Sequence, residues 1–89
     1  MIVRILSEGQ FELAAEALDR LKHLDEDLFA SIAASDEQRY EQSFHAALSL
    51  VREKGRRVPD DRLVESDLIL PTSDTTLEEA RRLFTEQTR

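Results

Sequence analysis

The first residues of the chain alternate in a way that is typical of two short strands. Residues 2–6, IVRIL, are aliphatic apart from one arginine, and residues 11–13, FEL, place two apolar side chains around a glutamate. The segment between them, SEGQ at residues 7–10, is polar and contains Gly9, which can adopt a positive φ without steric cost. A turn of this kind between two apolar runs predicts a β-hairpin at the N-terminus.

The segment that follows has the periodicity of two amphipathic helices. Apolar side chains recur at steps of three or four residues, which is the spacing of one helix face. They are Leu13, Ala17, Leu21, Leu24, Leu28 and Ile32 in the first stripe, and Tyr40, Phe44, Ala47, Leu48 and Val51 in the second. We predict helices over about 14–33 and 36–54, with a capping box from Ser35 to Gln38 and with Gly55 ending the second helix. Because their connection is short, the helices should pack antiparallel as a hairpin.

The stretch LVESDLILP, residues 63–71, fits neither pattern. Its three consecutive aliphatic residues are too few for a helix and are bracketed by Asp67 and Pro71, which favours a short strand over 67–70 with Ile69 in the core. Buried backbone groups need hydrogen-bond partners, so this strand should join the hairpin as a third strand. Asp60-Asp61 and Ser66-Asp67 are interpreted as turn residues.

A last helix is predicted from about 76 to 86. Thr75 to Glu78 has the T-x-x-E form of a capping box, and Leu77, Ala80 and Phe84 share one face. The elements together predict an α+β fold. A β-hairpin and a short third strand form a small sheet that packs on an antiparallel helical hairpin, with a short C-terminal helix. We expect residues 1–89 to form a single domain.

The charge of the chain is negative and unevenly distributed. The formal net charge is −7, from 12 basic and 19 acidic side chains, and ten of those acids lie in residues 1–45. An acidic chain repels phosphate backbones, which argues against nucleic-acid binding. With no cysteine the chain forms no disulfide, which fits the cytoplasm, and its N-terminus lacks the apolar core of a signal peptide.

A basic cluster interrupts the acidity. It comprises Arg52, Lys54, Arg56, Arg57 and Arg62. One interpretation is that these cations complement the dipole at the C-terminal end of a helix. The other is a patch that binds phosphate or anionic lipid.

The sequence offers little for catalysis or metal binding. Asp19 and Asp27 flank His23 at i±4 spacing, which could place a carboxylate and an imidazole on one metal, but a solvated helix face accounts for them better. There is no glycine-rich phosphate loop, and no nucleophile stands at a recognisable spacing from a base. We expect no enzymatic activity, no cofactor and no metal site.

Several blocks of the sequence closely resemble the PspAA family of PspA-associated proteins. They are MIVRIL-x-EGQ-F at the start, EALDRL at 16–21, VREKG at 51–55 and PDDRLVESDLILP-x-x-D-x-TLEEARRLF at 59–84. The resemblance covers nearly the whole chain. The chain departs from the family at Ala14-Ala15, where acidic residues are usual and would cap the first helix better, and at Glu65, which replaces a frequent proline.

The resemblance implies a role beside PspA in the phage-shock envelope-stress system. PspA is a membrane-binding coiled-coil protein that is similar to the ESCRT-III proteins. A member of this family would be a cytoplasmic adaptor or regulator without a reaction of its own, reaching the inner face of the membrane only through its partner. Two alternatives stay open, namely a co-regulator in stress signalling or transcription and a weak metal-binding or small-molecule-binding domain.

The first helix carries the candidate docking surface. At 100° per residue, the side opposite its apolar stripe collects acidic residues around His23, and an aromatic and a leucine fall on the flank. The candidate partner-binding residues are Glu12, Glu16, Leu18, Asp19, Glu26, Asp27 and Phe29. An acidic stripe with apolar neighbours suits a basic amphipathic helix of the partner. The alternative is a solvated face beside a widened core stripe.

Overall fold

The protein is α+β, as predicted. A computed structural model describes residues 1–62 and 64–87. Its elements in chain order are β1 (Ile2–Ile5), β2 (Gly9–Glu12), α1 (Ala15–Ala34), α2 (Glu37–Lys54), β3 (Arg56–Arg57), β4 (Leu68–Leu70) and α3 (Leu77–Gln87). The predicted hairpin, helix pair, late strand and last helix are all present.

The sheet has four strands in the order β3-β2-β1-β4, one more than predicted. β1 pairs antiparallel with β2, and β4 lies parallel to β1 on its other side. The additional strand, β3, pairs antiparallel with β2 directly after α2 ends. A strand of two arginines has no apolar alternation, so the hydrophobic pattern gives no signal for it.

Strand β4 is paired as predicted, but the prediction that Ile69 lies in the core is wrong. Leu70 is 1% exposed and Leu68 packs against the core, whereas Ile69 is 41% exposed. Successive side chains point to opposite faces of a sheet, and here only one face is covered by helices. An unbroken aliphatic run therefore does not show that a strand is buried on both faces.

Helices α1 and α2 cover the inner face of the sheet. The predicted stripes form the core, with Ala17 and Leu24 only partly buried at its border and Leu50 as an additional buried residue. The sheet contributes Val3, Ile5, Phe11 and Leu70 to the core, and Leu13, directly after the end of β2, is also buried there. We call the other side of the sheet, which carries Ile2, Arg4, Gln10, Glu12 and Ile69, the outer face.

Both predicted N-caps are displaced by one residue, and only the one at α3 forms a capping box. Ser35 is the left-handed C-cap of α1 with φ 56°, and Asp36 caps α2 by accepting a hydrogen bond from the Arg39 amide at 3.2 Å. Likewise, Thr76 and Glu79 form the reciprocal pair at the start of α3. Each segment has two adjacent residues that can cap a helix, and the sequence motif alone does not distinguish them. Ala14 precedes α1 and makes no side-chain cap.

The two glycines serve different needs. Gly9 has the predicted positive φ, 117°, at the first position of β2 directly after the hairpin turn. Gly55 ends α2, also as predicted, but with φ −83° rather than in the left-handed conformation. A glycine is needed there because a side chain does not fit. A Cβ would lie 2.3 Å from the Val51 carbonyl oxygen and 2.9 Å from the Phe11 Cβ. Strand β2 therefore comes close to the end of α2 at this residue, through Phe11.

Helix α3 is attached near the α1–α2 connection. Leu77 and Ala80 are buried, as predicted, whereas Phe84 lies outside the residues whose side chains are described. The Tyr40 hydroxyl donates to the Thr75 carbonyl oxygen at 2.8 Å, and Arg81 donates to the Ile32 carbonyl oxygen at 3.2 Å. These bonds join the start of α3 to both long helices.

Tyr40 should make the fold sensitive to alkaline pH. Burial, together with the nearby Glu79 and Glu41 carboxylates, raises the pKa of Tyr40 to about 12. The neutral phenol therefore stabilises the fold fully below about pH 10, the pKa of an unfolded tyrosine, and about 2 kcal/mol is lost as the pH rises to about 12. Urea unfolding of the parent and of Tyr40→Phe between neutral and alkaline pH measures this loss.

The Tyr40→Phe variant is its own control. It loses one hydrogen bond, about 1 kcal/mol at neutral pH, but has no phenol to ionise. Since Tyr40 is the only tyrosine of the chain, phenolate absorbance reports its ionisation directly. Equal losses of stability above pH 10 in both proteins would contradict the prediction.

Candidate partner-binding surface

The outward side of α1 carries an exposed group of acids. Glu16, Asp19 and Glu26 are exposed, and no lysine or arginine within residues 1–62 and 64–87 forms an ion pair with them. His23 accompanies them, with its Nδ1 atom 4.0 Å from Glu26 Oε2. We call Glu16, Asp19 and Glu26 the acidic face. Arg20 and Lys22 stand near these acids on the same helix, but neither forms an ion pair with them, which leaves the acidic face accessible to a basic partner.

Two other predicted acids stand apart from this face. Glu12 is the last residue of β2 and lies in register with Ile2 and Arg56, so its placement on the α1 face is wrong. The chain is still extended there, and a helical projection does not apply before Ala15. Asp27 is on α1, but its Oδ1 atom lies 2.9 Å from Arg39 Nη2. Asp27 therefore helps to join α1 to α2.

The apolar candidates differ in exposure. Leu18 is half-buried and packs against the core, whereas Phe29 is 40% exposed. For Leu18 the structure thus favours the alternative of a widened core stripe. Four residues before Phe29, on the same flank, lies Asp25, which the predictions omitted. Partial burial, and secondarily the Glu26 charge, raise the pKa of Asp25. An ionised carboxylate in this position destabilises the fold.

An open groove lies beside the acidic face, between the start of α1 and the end of α2. Its volume is about 360 Å³. Ala14, Ala17 and Leu50 form its apolar lining, and charged side chains complete the lining, namely Glu16, Arg20 and Lys54. The groove could accept an apolar side chain of a partner whose basic residues lie on the acidic face.

The histidine site does not gather metal ligands. Asp27, one of the two carboxylates predicted around His23, is engaged by Arg39. Among the residues that the structure describes, no group of three histidine, cysteine, aspartate or glutamate side chains is placed to hold a metal ion.

The basic cluster is divided among several elements. Arg52 forms a bidentate pair with Glu8, with Nε donating to Oε1 at 2.8 Å, and this pair lowers the pKa of Glu8. Arg57 Nη2 lies 3.7 Å from Asp60 Oδ1. Only Arg52 and Lys54 are in the last turn of α2, so the helix-dipole interpretation accounts for these two alone.

The connection between β3 and β4 is fixed to the outer face by side-chain hydrogen bonds. The buried Gln10 donates from Nε2 to the Val64 carbonyl oxygen at 2.9 Å and to Ser66 Oγ at 2.8 Å. Asp67 Oδ2 accepts from the Ile2 amide at 2.8 Å. Asp67 lies at a bend directly before β4, as the turn interpretation implies, but the side chains of Ser66 and Asp67 also bond across more than fifty residues of sequence.

A protein-family model described as PspA-Associated protein, PspAA, matches residues 1–88. The chain belongs to the PspAA family. The match runs from β1 to the end of α3, so it includes the acidic face and confirms the resemblance seen in the sequence blocks. No curated protein and no solved structure matches the chain.

A further finding concerns membranes. Over residues 1–62 and 64–87, this PspAA-family chain has no helix that is both long enough and apolar enough to cross a bilayer.

Proposed function

We propose that this protein is a cytoplasmic, non-enzymatic adaptor or regulator that binds a PspA-type coiled-coil protein in the phage-shock response. The observation that carries the proposal is the family assignment over residues 1–88, because the family is named for its association with PspA. Physical features of α1 support the mode of binding. The proposed mode of binding uses protein side chains and requires no cofactor.

We infer that the acidic face docks a basic amphipathic helix. Glu16, Asp19 and Glu26 orient the partner and accelerate association, since complementary charge acts mainly on encounter and register. Affinity needs desolvated apolar contact, for which the groove lined by Ala17 and Leu50 offers a place next to Glu16. Phe29 is the exposed aromatic at the other end of the helix.

The triple variant Glu16→Lys, Asp19→Lys, Glu26→Lys should bind PspA at least about tenfold more weakly than the parent at low salt. The reversals turn attraction into repulsion, and low ionic strength leaves that repulsion least screened. Each exposed charge affects folding by at most about 1 kcal/mol, so the fold should persist. Calorimetric or surface-based titration with purified PspA measures the effect.

A matched variant separates this surface from general charge. Glu41→Lys, Glu53→Lys, Glu65→Lys changes the net charge equally at exposed residues outside the acidic face. It should keep parent affinity within about threefold, since long-range charge alone is screened within about 10 Å at moderate salt. If both triple variants lose the same affinity, or neither does, the acidic face is not the docking surface.

Identification of the partner tests the proposal itself. The tagged protein should be purified from its host at low and high salt, and the proteins that accompany it identified. PspA in the low-salt sample, depleted at high salt, is the expected result. Recovery of a transcription or signalling protein without PspA would support the co-regulator alternative instead.

A further inference from the structure

We propose that the outer face of the sheet binds the surface of an anionic phospholipid membrane directly. The inference is independent of the PspA proposal, because it concerns the opposite side of the molecule from the helices. It starts from the exposed apolar side chains of the sheet. Leu6 is 39% exposed and Ile69 is 41% exposed.

These two aliphatic residues lie on the same side of the sheet. Ile69 is in register with Arg4 of β1, and both are on the outer face. Leu6 continues the alternation of β1, because its amide donates to the Leu70 carbonyl oxygen at 3.0 Å while the preceding Ile5 is fully buried. The outer face therefore presents two aliphatic side chains next to the cation of Arg4.

Arg4 lies beside this apolar pair, and further arginines line grooves on the outer face towards β3. Within the described ranges, Arg4, Arg56 and Arg62 are exposed and have no ion-pair partner. Two adjacent grooves share Arg62, with Arg4 lining one and Arg56 lining the other. Together the grooves are lined by four arginines and two carboxylates, Arg4, Arg56, Arg57, Arg62, Glu12 and Asp60. The local net charge is thus +2 on a chain whose total is −7.

Acidic side chains also lie near these grooves, and among the described residues Asp60 alone is within ion-pair distance of one of the four arginines. Asp60 is 3.7 Å from Arg57, and Asp67 accepts the Ile2 amide. Asp61 and Glu65, in the same connection, are exposed but line neither groove. Arg4, Arg56 and Arg62 therefore remain available to an anion from outside.

The size of the grooves favours phosphate groups over a protein helix. Their volumes are about 200 and 230 Å³. Sites that bury larger organic ligands measure about 300–1,000 Å³, and a docked helix needs a long apolar groove. Arginine matches phosphate oxygens with paired N–H donors, and exposed aliphatic side chains insert at the boundary between headgroups and acyl chains. A phospholipid surface supplies both partners side by side.

The test uses the purified protein alone with vesicles. At low salt it should associate with vesicles of mixed phosphatidylglycerol and phosphatidylcholine, and about tenfold less with phosphatidylcholine alone or at high salt. The Arg4→Gln, Arg62→Gln variant should lose about tenfold or more in vesicle binding. Leu6→Ser, Ile69→Ser should lose a similar factor by removing the apolar contact.

A control variant with the same change in net charge shows whether the outer face, rather than total charge, is responsible for vesicle binding. Arg20→Gln, Lys54→Gln also removes two cations, but from the groove between α1 and α2. It should bind vesicles within about twofold of the parent, since lipid attraction falls off within a Debye length. Equal loss in both double variants, or equal binding of the parent to anionic and neutral vesicles, would overturn the proposal.

Mapping on the parent protein avoids any dependence on variants that fold poorly. Spin-labelled lipid in the vesicles should broaden the amide resonances of Leu6 and Ile69 and leave those of Asp19 and Glu26 sharp. Titration with glycerol phosphate distinguishes a free anion from a membrane. Saturable binding of glycerol phosphate without binding to vesicles would overturn the membrane assignment. So would a parent protein that does not bind vesicles together with an arginine variant that loses binding to PspA.

Discussion

Leu70→Ala should lower the free energy of unfolding by about 2–5 kcal/mol, whereas Ile69→Ala should lower it by less than about 1 kcal/mol. The two residues are neighbours in one strand and have nearly equal side-chain volumes. Leu70 is 1% exposed and fills the space between the sheet and the helices, while Ile69 is 41% exposed on the outer face. Truncation leaves a cavity only at Leu70.

Urea denaturation of both variants measures the difference. A domain of this size has a free energy of unfolding of about 5 kcal/mol or slightly more, so Leu70→Ala should retain about 3 kcal/mol at most and, at the upper end of the expected loss, should be about half unfolded at room temperature. Leu70→Met, which nearly conserves volume, should cost less than about 1.5 kcal/mol and shows whether volume is what matters. Equal destabilisation by the two alanine substitutions would mean that β4 is oriented differently.

Gly55→Ala is expected to destabilise the fold by about 1–3 kcal/mol. Two effects oppose each other here. The backbone of Gly55 has φ −83° and ψ 148°, which alanine adopts freely, so the loss of unfolded-state entropy alone would stabilise the protein by about 0.4–1 kcal/mol. The new Cβ would lie 2.3 Å from the Val51 carbonyl oxygen, which is backbone and cannot rotate away. The steric effect is larger, so the sign is destabilising.

Thermal unfolding of Gly55→Ala beside Lys54→Ala checks this prediction. Lys54 is exposed in the last turn of α2, so its truncation should change stability by no more than about 0.5 kcal/mol. Stability equal to the parent in Gly55→Ala would show that the chain relaxes at this junction without cost.

The helices were predictable from the sequence because their burial is one-sided and repeats every three or four residues. For that reason the structure confirms the predicted apolar stripes, from Leu21 to Ile32 and from Tyr40 to Val51, as parts of the core. Strand β3 was not predictable. Its residues, Arg56 and Arg57, form a strand because they follow the end of α2 beside an open edge of β2, a condition set by tertiary structure.

The candidate surface was predictable only in part. Projection around α1 placed Glu16, Asp19 and Glu26 correctly on its exposed side. It misplaced Glu12 because a projection does not show where the helix begins. It also treated Asp27 as available, since the pairing with Arg39 requires knowledge of how the second helix lies against the first. Local periodicity thus gives the face of a helix, and packing decides which side chains remain on it.

The position of β1 in the sheet has a consequence for synthesis of the chain. β1 is made before the other strands of this sheet, and it lies between β2, which follows immediately, and β4, which follows directly after Asp67, the residue that bonds Ile2 across 65 residues of sequence. While a ribosome is still making the helices, β1 has a partner along one side only. The nascent chain thus carries an open edge bearing Val3 and Ile5 until residue 70 emerges, and open strand edges are where chains pair wrongly with one another.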